Sequence, residues 1–453
     1  MRRQLEPDPS FDYRTATKAA ILARARLLEG HVMGDIADAR FTASEARRGK
    51  GEVGAAVEHF FGIPSNRRQE ADFPGAGIEL KVVPLRRSGT VTRVKERTVI
   101  SMIDYASLVL ETWGSASVRK KLKILFIFFE HLPDHPKSTF PIRGVVYWEP
   151  DEATEAFIRA DWERVAANVR QGSAHLLSES DGRILGPCTK GVDSRSLRSQ
   201  PFGDVKARSR AFALKPSFTL DLYERLVRGR IEESLVANEI TDPTAEFEKW
   251  LLARFSRFEG RTVGEVADEL GVPPSAAKSF AARVLRRTFG GNDFRSPIRE
   301  FEQMGLTPRM ARVDANLMPY ESLSFPAFKY LELLGETWED SDLLSRIEYM
   351  LIVPVRGATK ETPQAHCRFG HPVFWRPSAA ELETIRQEWE IYRIEIREGR
   401  VENLTTAAGT TAIHVRPHAR NANDVDTAPR VGPVVKKSFW FNRPFVARIL
   451  TAS

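Results

Sequence analysis

Cysteine is nearly absent from this chain: 453 residues contain 2, Cys188 and Cys367, far apart and without ligand-like neighbours. That excludes a zinc site built on cysteine and points to a reducing compartment. No apolar run reaches the length of a membrane span, and the opening MRRQLEPDPS carries charge without the apolar core of a signal peptide. A soluble, cytoplasmic protein without a membrane partner is the expectation. Acidic residues are also in deficit, with Lys+Arg 67 against Asp+Glu 60 and a net charge of +7, and the pI is near 9.3. Arginine outnumbers lysine, and a guanidinium suits phosphates and base edges better than an ammonium does. The excess fits a polyanionic partner, although many basic proteins bind no nucleic acid.

What is present begins with length. A chain of this size exceeds one ordinary domain, and 42% apolar residues allow each half a core. The most informative stretch is Asp72 to Lys81, DFPGAGIELK. Its continuation Ile78-Glu79-Leu80-Lys81-Val82 alternates apolar and charged residues, as a half-buried strand does. Glu79 and Lys81 then share one face, and Ile78, Leu80 and Val82 the other. Asp72 enters through the turn-forming residues Pro74-Gly75-Ala76-Gly77. Carboxylates converging beside a lysine make a hard-metal site suited to cutting a phosphodiester.

Around this stretch, residues 14–40 read as helix, and Glu52 to Phe61 as a second helix closed by Gly62. Glu58 borders the apolar stripe of that second helix. Such a carboxylate is commonly a rim residue, but its place just upstream of Asp72 keeps a role in the acidic cluster open. Arg86, Arg87, Arg93, Lys95 and Arg97 form a basic run, readable as a solvated loop or as an arm tracking phosphates. Lys121 precedes Ile124 to Phe129, an unbroken apolar run typical of a central strand. Lys121 would sit beside the metal strand if the two pair. Pro150 opens a helix through Trp162, and the polar segment after Gly172, with Lys190, has the composition of a functional loop.

The second half repeats the first. Trp148, Pro150, Trp162 and Gly172 recur as Trp375, Pro377, Trp389 and Gly399, and Phe212 and Phe218 as Phe439 and Phe445, at constant offset. Such spacing indicates a duplicated domain. The expected division is 1–230, a linker at 231–245, and 246–453. Aligning Gly77 with Gly305 puts Thr307 opposite Glu79, Arg309 opposite Lys81 and Arg286 opposite Glu58, with Pro308 inside the strand. Arginine neither ligates a metal nor serves as a base, so the second copy is expected to be inactive. Its loop Arg416-Pro417-His418-Ala419-Arg420-Asn421-Ala422-Asn423 carries side chains of the kinds that read guanine and adenine edges. A polar surface loop would have the same composition.

GKGEVGAAVEHFFG, ADFPGAGIELKVVPL, SVRKKLK, WEPDEATEAFIRADW and FALKPSF together resemble the MutH mismatch-repair nicking endonucleases. One intact and one degenerate copy resembles the two-domain type II restriction endonucleases related to MutH. The resemblance covers the first half and, more faintly, the second. It implies an α/β (mixed α+β) restriction-endonuclease-like core, a central mixed sheet flanked by helices and duplicated in tandem. It further implies that Asp72 and Glu79 ligate a catalytic Mg2+, with Glu58 completing the acidic cluster directly or through a water. Lys81 would orient or activate the attacking water, and Lys121 would support it. Lys50 and Lys190 fall where the family touches DNA. RPHARNAN, with Arg416, His418, Arg420, Asn421 and Asn423, matches the DNA-reading loop better than GPCTKGVDS of the first half does.

The function expected is Mg-dependent, site-specific hydrolysis of duplex DNA, with the second half binding DNA as an effector. GATC is the site the resemblance suggests, and a monomer that dimerises on DNA is the oligomeric expectation. A nickase acting on one strand is the alternative, against which the duplication speaks. A DNA-binding protein without nuclease activity is the alternative of another class, and clustered carboxylates facing phosphate speak against that.

Overall fold

The computed structural model describes residues 4–36, 51–64, 70–88, 91–133, 135–190, 196–230, 246–275, 277, 279–291 and 298–452. The chain divides into two compact units, Met1–Leu177 with Asp181–Ile231, and Ser178–Ser180 with Glu232–Ser453. The segment expected as a linker, 231–245, and the predicted DNA contact Lys50 lie outside the described residues.

In the first unit, strands β1 (Glu79–Ser88), β2 (Val91–Val94), β4 (Ile124–Glu130) and β5 (Ile142–Trp148) form a mixed sheet in the order β2-β1-β4-β5. β1 and β4 are parallel, and the other pairs antiparallel. Helices α1 (Lys18–Arg26) and α2 (Glu52–Phe60) cover one face of the sheet, where Ile21, Val57 and Phe60 share a core with Leu80, Leu125 and Ile127. Burying each such aliphatic side chain contributes about 1.5–3 kcal/mol. Phe126 and Phe128 face the opposite side, against Trp148 and Tyr223. Tyr223 lies on Pro216–Leu226, the last helix of the unit described. A second sheet joins β3 (Thr98–Met102), β6 (Leu185–Thr189) and β9 (Arg210–Leu214) in the order β3-β9-β6. β7 (Leu197–Gln200) and β8 (Gly203–Arg208) make a separate hairpin.

The second unit repeats this plan. β10 (Thr307–Val313) and β12 (Met350–Arg356) pair in parallel, as β1 and β4 do. β11 (Leu323–Ser324), β18 (Lys437–Phe441) and β15 (Ile413–Pro417) form the counterpart of the second sheet. Long helices Glu152–Arg170 and Ala379–Arg397 have 19 residues each. The repeated aromatics are repeated contacts: Trp148–Phe218 at 5.4 Å recurs as Trp375–Phe445 at 5.8 Å, and Trp113–Trp162 at 5.8 Å as Trp338–Trp389 at 5.5 Å. The α/β fold with tandem duplication is as the sequence indicates.

One local expectation fails. Of the helix expected over 14–40, the described residues, which run to Ile36, show Lys18–Arg26 as α-helix. Leu28 turns into the core, and the backbone of Val32 and Met33 pairs with Pro141 and Phe140, which takes the groups a longer helix would use. The basic run, open between a solvated loop and a phosphate-tracking arm, is in part strand: Lys95 and Arg97 lie in the connection after β2, but the others do not. Arg86 and Arg87 lie on β1 and pair across to Arg93 and Thr92 of β2, because Val83, Leu85 and Val94 supply a buried side for a hairpin.

Candidate functional site

The site grows from a turn. Phe73 N–H donates to Ile78 O at 2.9 Å, and Ile78 N–H donates back to Phe73 O at 3.2 Å. Gly77 closes this turn at φ +63, and Gly305, which caps the helix Arg299–Met304 at the same place in the second unit, also has φ +63, a conformation that disfavours any residue with a Cβ. A side chain at Gly75 would also meet Arg14 O at 2.4 Å. The reversal brings Asp72 back beside β1, where its Oδ2 accepts Leu80 N–H at 2.8 Å.

β1 starts at Glu79, whose N–H donates to Lys123 O at 2.8 Å and whose register partner on β4 is Ile124. The short helical turn Arg119–Lys121 precedes β4, so parallel pairing delivers Lys121 to Glu79. Lys81 Nζ lies 2.8 Å and Lys121 Nζ 3.3 Å from Glu79 Oε1. Glu79 is 4% exposed, and its Oε2 is buried without a hydrogen-bond partner. Burial raises the Asp72 carboxyl above the ordinary carboxylate range, and the Glu79 charge raises it further. The Leu80 N–H and the two lysines act in the opposite direction.

The structure thus brings together Asp72, Glu79, Lys81 and Lys121. It does not gather Glu58 into a three-carboxylate cage: among the described residues no group of three or more His, Cys, Asp or Glu is placed to hold a metal. Glu58 sits partly buried on α2 instead. The residues present still fit a divalent cation. Both lysines engage one oxygen of Glu79 and leave the other bare in a buried place, while Asp72 crowds a second negative charge against it. Such a cation prefers oxygen ligands and is commonly held by one or two carboxylates plus a substrate phosphate.

The equivalent place in the second unit is built alike and equipped differently. Thr307 opens β10 with its N–H on Tyr349 O at 3.0 Å, the position Glu79 holds on β1. Arg309 takes the register of Lys81, and Pro308 stands between them. Arg286 is the seventh residue of Phe280–Thr288, as Glu58 is of Glu52–Phe60. Counting back from Ile124 and Met350, Lys121 corresponds to Ile347, which is buried. Glu300, one residue before Phe301 as Asp72 is before Phe73, keeps a carboxylate, buried on the helix Arg299–Met304.

Of the predicted DNA contacts, Lys190 follows β6, partly buried, with its N–H on Ser209 O at 2.7 Å. Arg416, His418, Arg420, Asn421 and Asn423 are exposed at the end of β15 and beyond it. Arg416 lies over the Trp440 ring at 3.6 Å, which orients it without covering its donors. His418 commits one ring nitrogen to the protein, with Nδ1 2.8 Å from Ser438 Oγ. Asp424 shapes the turn by accepting Arg420 N–H at 3.1 Å and pairing with Lys436.

Two residues that sequence reasoning passed over hold this region. Asp161, 1% exposed, accepts the N–H groups of Arg183, Ile184 and Leu185 at 2.8–3.0 Å, fixing the entry to β6. Glu388 does the same for Thr411, Ala412 and Ile413 at the entry to β15. An acidic residue directly before each repeated tryptophan was the available signal.

Comparison with known proteins finds the DNA mismatch repair enzyme MutH model matching this chain twice, over residues 61–161 and 295–388. The type II restriction enzyme Sau3AI of Staphylococcus aureus is 26% identical over 436 residues, covering 88% of each chain. The DNA mismatch repair protein MutH of Shewanella woodyi is 32% identical over 211 residues, 45% of this chain and 90% of its own. That of Pectobacterium atrosepticum is 30% identical over 212 residues, 46% and 90% respectively.

Proposed function

The chain belongs to the MutH family, and from that premise we propose that it is a type II restriction endonuclease with one cutting centre per molecule. Residues 1–230 form the cutting domain, and residues 246–453 bind a copy of the recognition sequence and act on the first as an effector. The observation that carries this reading is the asymmetry between equivalent strands: Glu79 and Lys81 on one, Thr307 and Arg309 on the other. The nearly full-length similarity to a restriction enzyme favours double-strand cutting over repair nicking.

In this reading Asp72 and Glu79 would hold the divalent cation, Mg2+ being the choice their oxygen chemistry favours. A bound cation supplies polarisation of the phosphoryl group and offsets charge on the leaving oxygen. Lys81, 2.8 Å from Glu79 Oε1, orients the attacking water and places positive charge where the phosphorane-like transition state gains negative charge. Lys121 holds the second position on the same oxygen, fixing the Glu79 rotamer and adding to that field. Glu58 acts through a water from α2. Arg416, Arg420 and the two asparagines read base edges in the second domain.

Digestion of a supercoiled plasmid with Mg2+, followed by sequencing of the ends, tests the proposal. Linear duplex with ends at a GATC-like site is expected; nicked circles alone would return the alternative of a strand-nicking repair enzyme. Intact plasmid at every Mg2+ concentration would leave a DNA-binding protein. Arg416→Ala should weaken cleavage at low enzyme concentration with Mg2+ dependence unchanged, and full activity would remove the effector role.

A further inference from the structure

The second unit's counterpart of the cutting centre is a basic cavity, not a filled-in relic. A space of about 500 Å³ is lined by Arg286, Arg309, Ser324, Leu285, Phe289 and Met310, among others. Arg309 enters it from the register position that Lys81 occupies in the first unit. Among the described residues its guanidinium has no acidic partner, and its Nε is buried without an acceptor. Its neighbour is the Phe325 ring, 5.7 Å away. Burial, together with the charge of Arg346, works against the ionised form of Arg309. Arg346 itself is paired with Asp342 at 2.8 Å. Glu300, the one carboxylate retained from the site, does not line the cavity.

A guanidinium held away from water without a counter-charge is costly, and an arriving anion relieves it. The cavity stands where the first unit would bring a phosphate against its lysines. We propose that this cavity binds one backbone phosphate of duplex DNA, gripped by Arg309 with Arg286 beside it and Ser324 as a hydroxyl donor. The conversion of Glu79 to Thr307 removes the negative charge that would repel a phosphate once no cation is present. Arginine in the place of Lys81 adds a planar fork that matches two phosphate oxygens. The phosphate is held and not cut, because among the described residues no carboxylate pair lines the cavity. This inference rests on the reading that the second domain engages DNA.

The test uses the full chain carrying Glu79→Gln, so that DNA survives, and measures duplex affinity across a range of salt. Arg309→Met should weaken binding about tenfold and lower the slope of log K against log salt by about one, the signature of one lost phosphate contact. Arg309→Lys should keep the slope and lose less affinity. Should Arg309→Met fail to fold, as read by thermal unfolding, neutral methylphosphonates walked along the duplex test the same contact from the DNA side. One position should then cost about tenfold with Arg309 present and clearly less with Arg309→Lys. Arg416→Ala is the control for the underlying reading. If it weakens binding while Arg309→Met and every methylphosphonate leave it unchanged, the cavity proposal falls and the DNA-binding domain stands. If neither protein change alters affinity, both fall. If inorganic phosphate raises the melting temperature of the parent but not of Arg309→Lys, and DNA affinity is indifferent to Arg309, the cavity belongs to a free anion and the DNA contact is overturned.

Discussion

β1 and β10 start at the same register on equivalent parallel partners, one preceded by a turn and the other by the short helix Arg299–Met304, each closed by a glycine at φ +63. One presents Glu79 and Lys81; the other presents Thr307 and Arg309. The contrast teaches that backbone architecture and chemistry are separable. Duplication carried the sheet, the left-handed glycine before the strand and the aromatic pairs along, while exchange of a few side-chain tips turned a place suited to a cation into one suited to an anion. Where both copies keep the same chemistry, as with Asp161 and Glu388 on their long helices, the residue serves the scaffold.

The comparison breaks most plainly if the halves contribute alike to cutting. Glu79→Ala should lower cleavage by more than about a thousandfold, at least 4 kcal/mol of barrier, with DNA binding largely retained, whereas Thr307→Ala should leave cleavage within about twofold of the parent. Single-turnover digestion measures both. Reinstalling the pair as Thr307→Glu with Arg309→Lys in a Glu79→Gln chain should not restore cutting, because Glu300, the counterpart of Asp72, does not line the cavity and Ile347 stands where Lys121 does; recovered cleavage would reduce the difference to two side chains.

A smaller effect sharpens the division of labour between the lysines. Lys81→Met should cost about a hundredfold in turnover and Lys121→Met about tenfold, on the scale of single transition-state donors. Equal losses would mean that Lys121 acts on the transition state directly, not through Glu79.

The shared scaffold offers a symmetrical test. Asp161→Ala and Glu388→Ala each leave buried N–H groups without an acceptor, and each should destabilise its unit by about 2–3 kcal/mol in chemical denaturation. A loss confined to one copy would show that the clamp serves function there.

The mildest prediction concerns pH. The Asp72 carboxyl is raised in the folded protein, so its contribution to stability is fully present below the ordinary carboxylate range and is lost as pH rises through the raised value. Metal-free protein should therefore gain stability on acidification across that window, and Asp72→Asn should remove the gain. Mg2+ requires the ionised form, so cleavage should decline on the acid side at a pH above the ordinary aspartate range, with Mg2+ raising the melting temperature most above it. Melting curves across pH, with and without Mg2+, measure it.

Much of this was legible in the residues. Tryptophan, proline and glycine spacing revealed the duplication because those residues fill positions that repeat, such as Trp148 against Phe218 and Trp375 against Phe445. Alternation placed Glu79 and Lys81 on one face because strand side chains alternate by a purely local rule. The same alignment foresaw the loss of that pair at Thr307 and Arg309. The extent of the helix expected over 14–40 was misjudged because pairing of Val32 and Met33 with distant segments overrode local preference.

Sequence alone determined that the chain is a MutH-like domain written twice, with the glutamate and lysine of its first sheet strand kept only in the first copy. Tertiary structure decided who stands beside that strand. Lys121, 42 positions from Glu79, arrives through parallel pairing of β1 with β4, and Asp72 returns through a backbone hydrogen bond to Leu80. It also kept Glu58 out of a closed carboxylate cage and left Arg309 unpaired at the edge of an open cavity. The physical reason is range: the pattern along a strand is set by neighbouring residues, whereas the electrostatic field at its carboxylates is set by groups that only folding brings near.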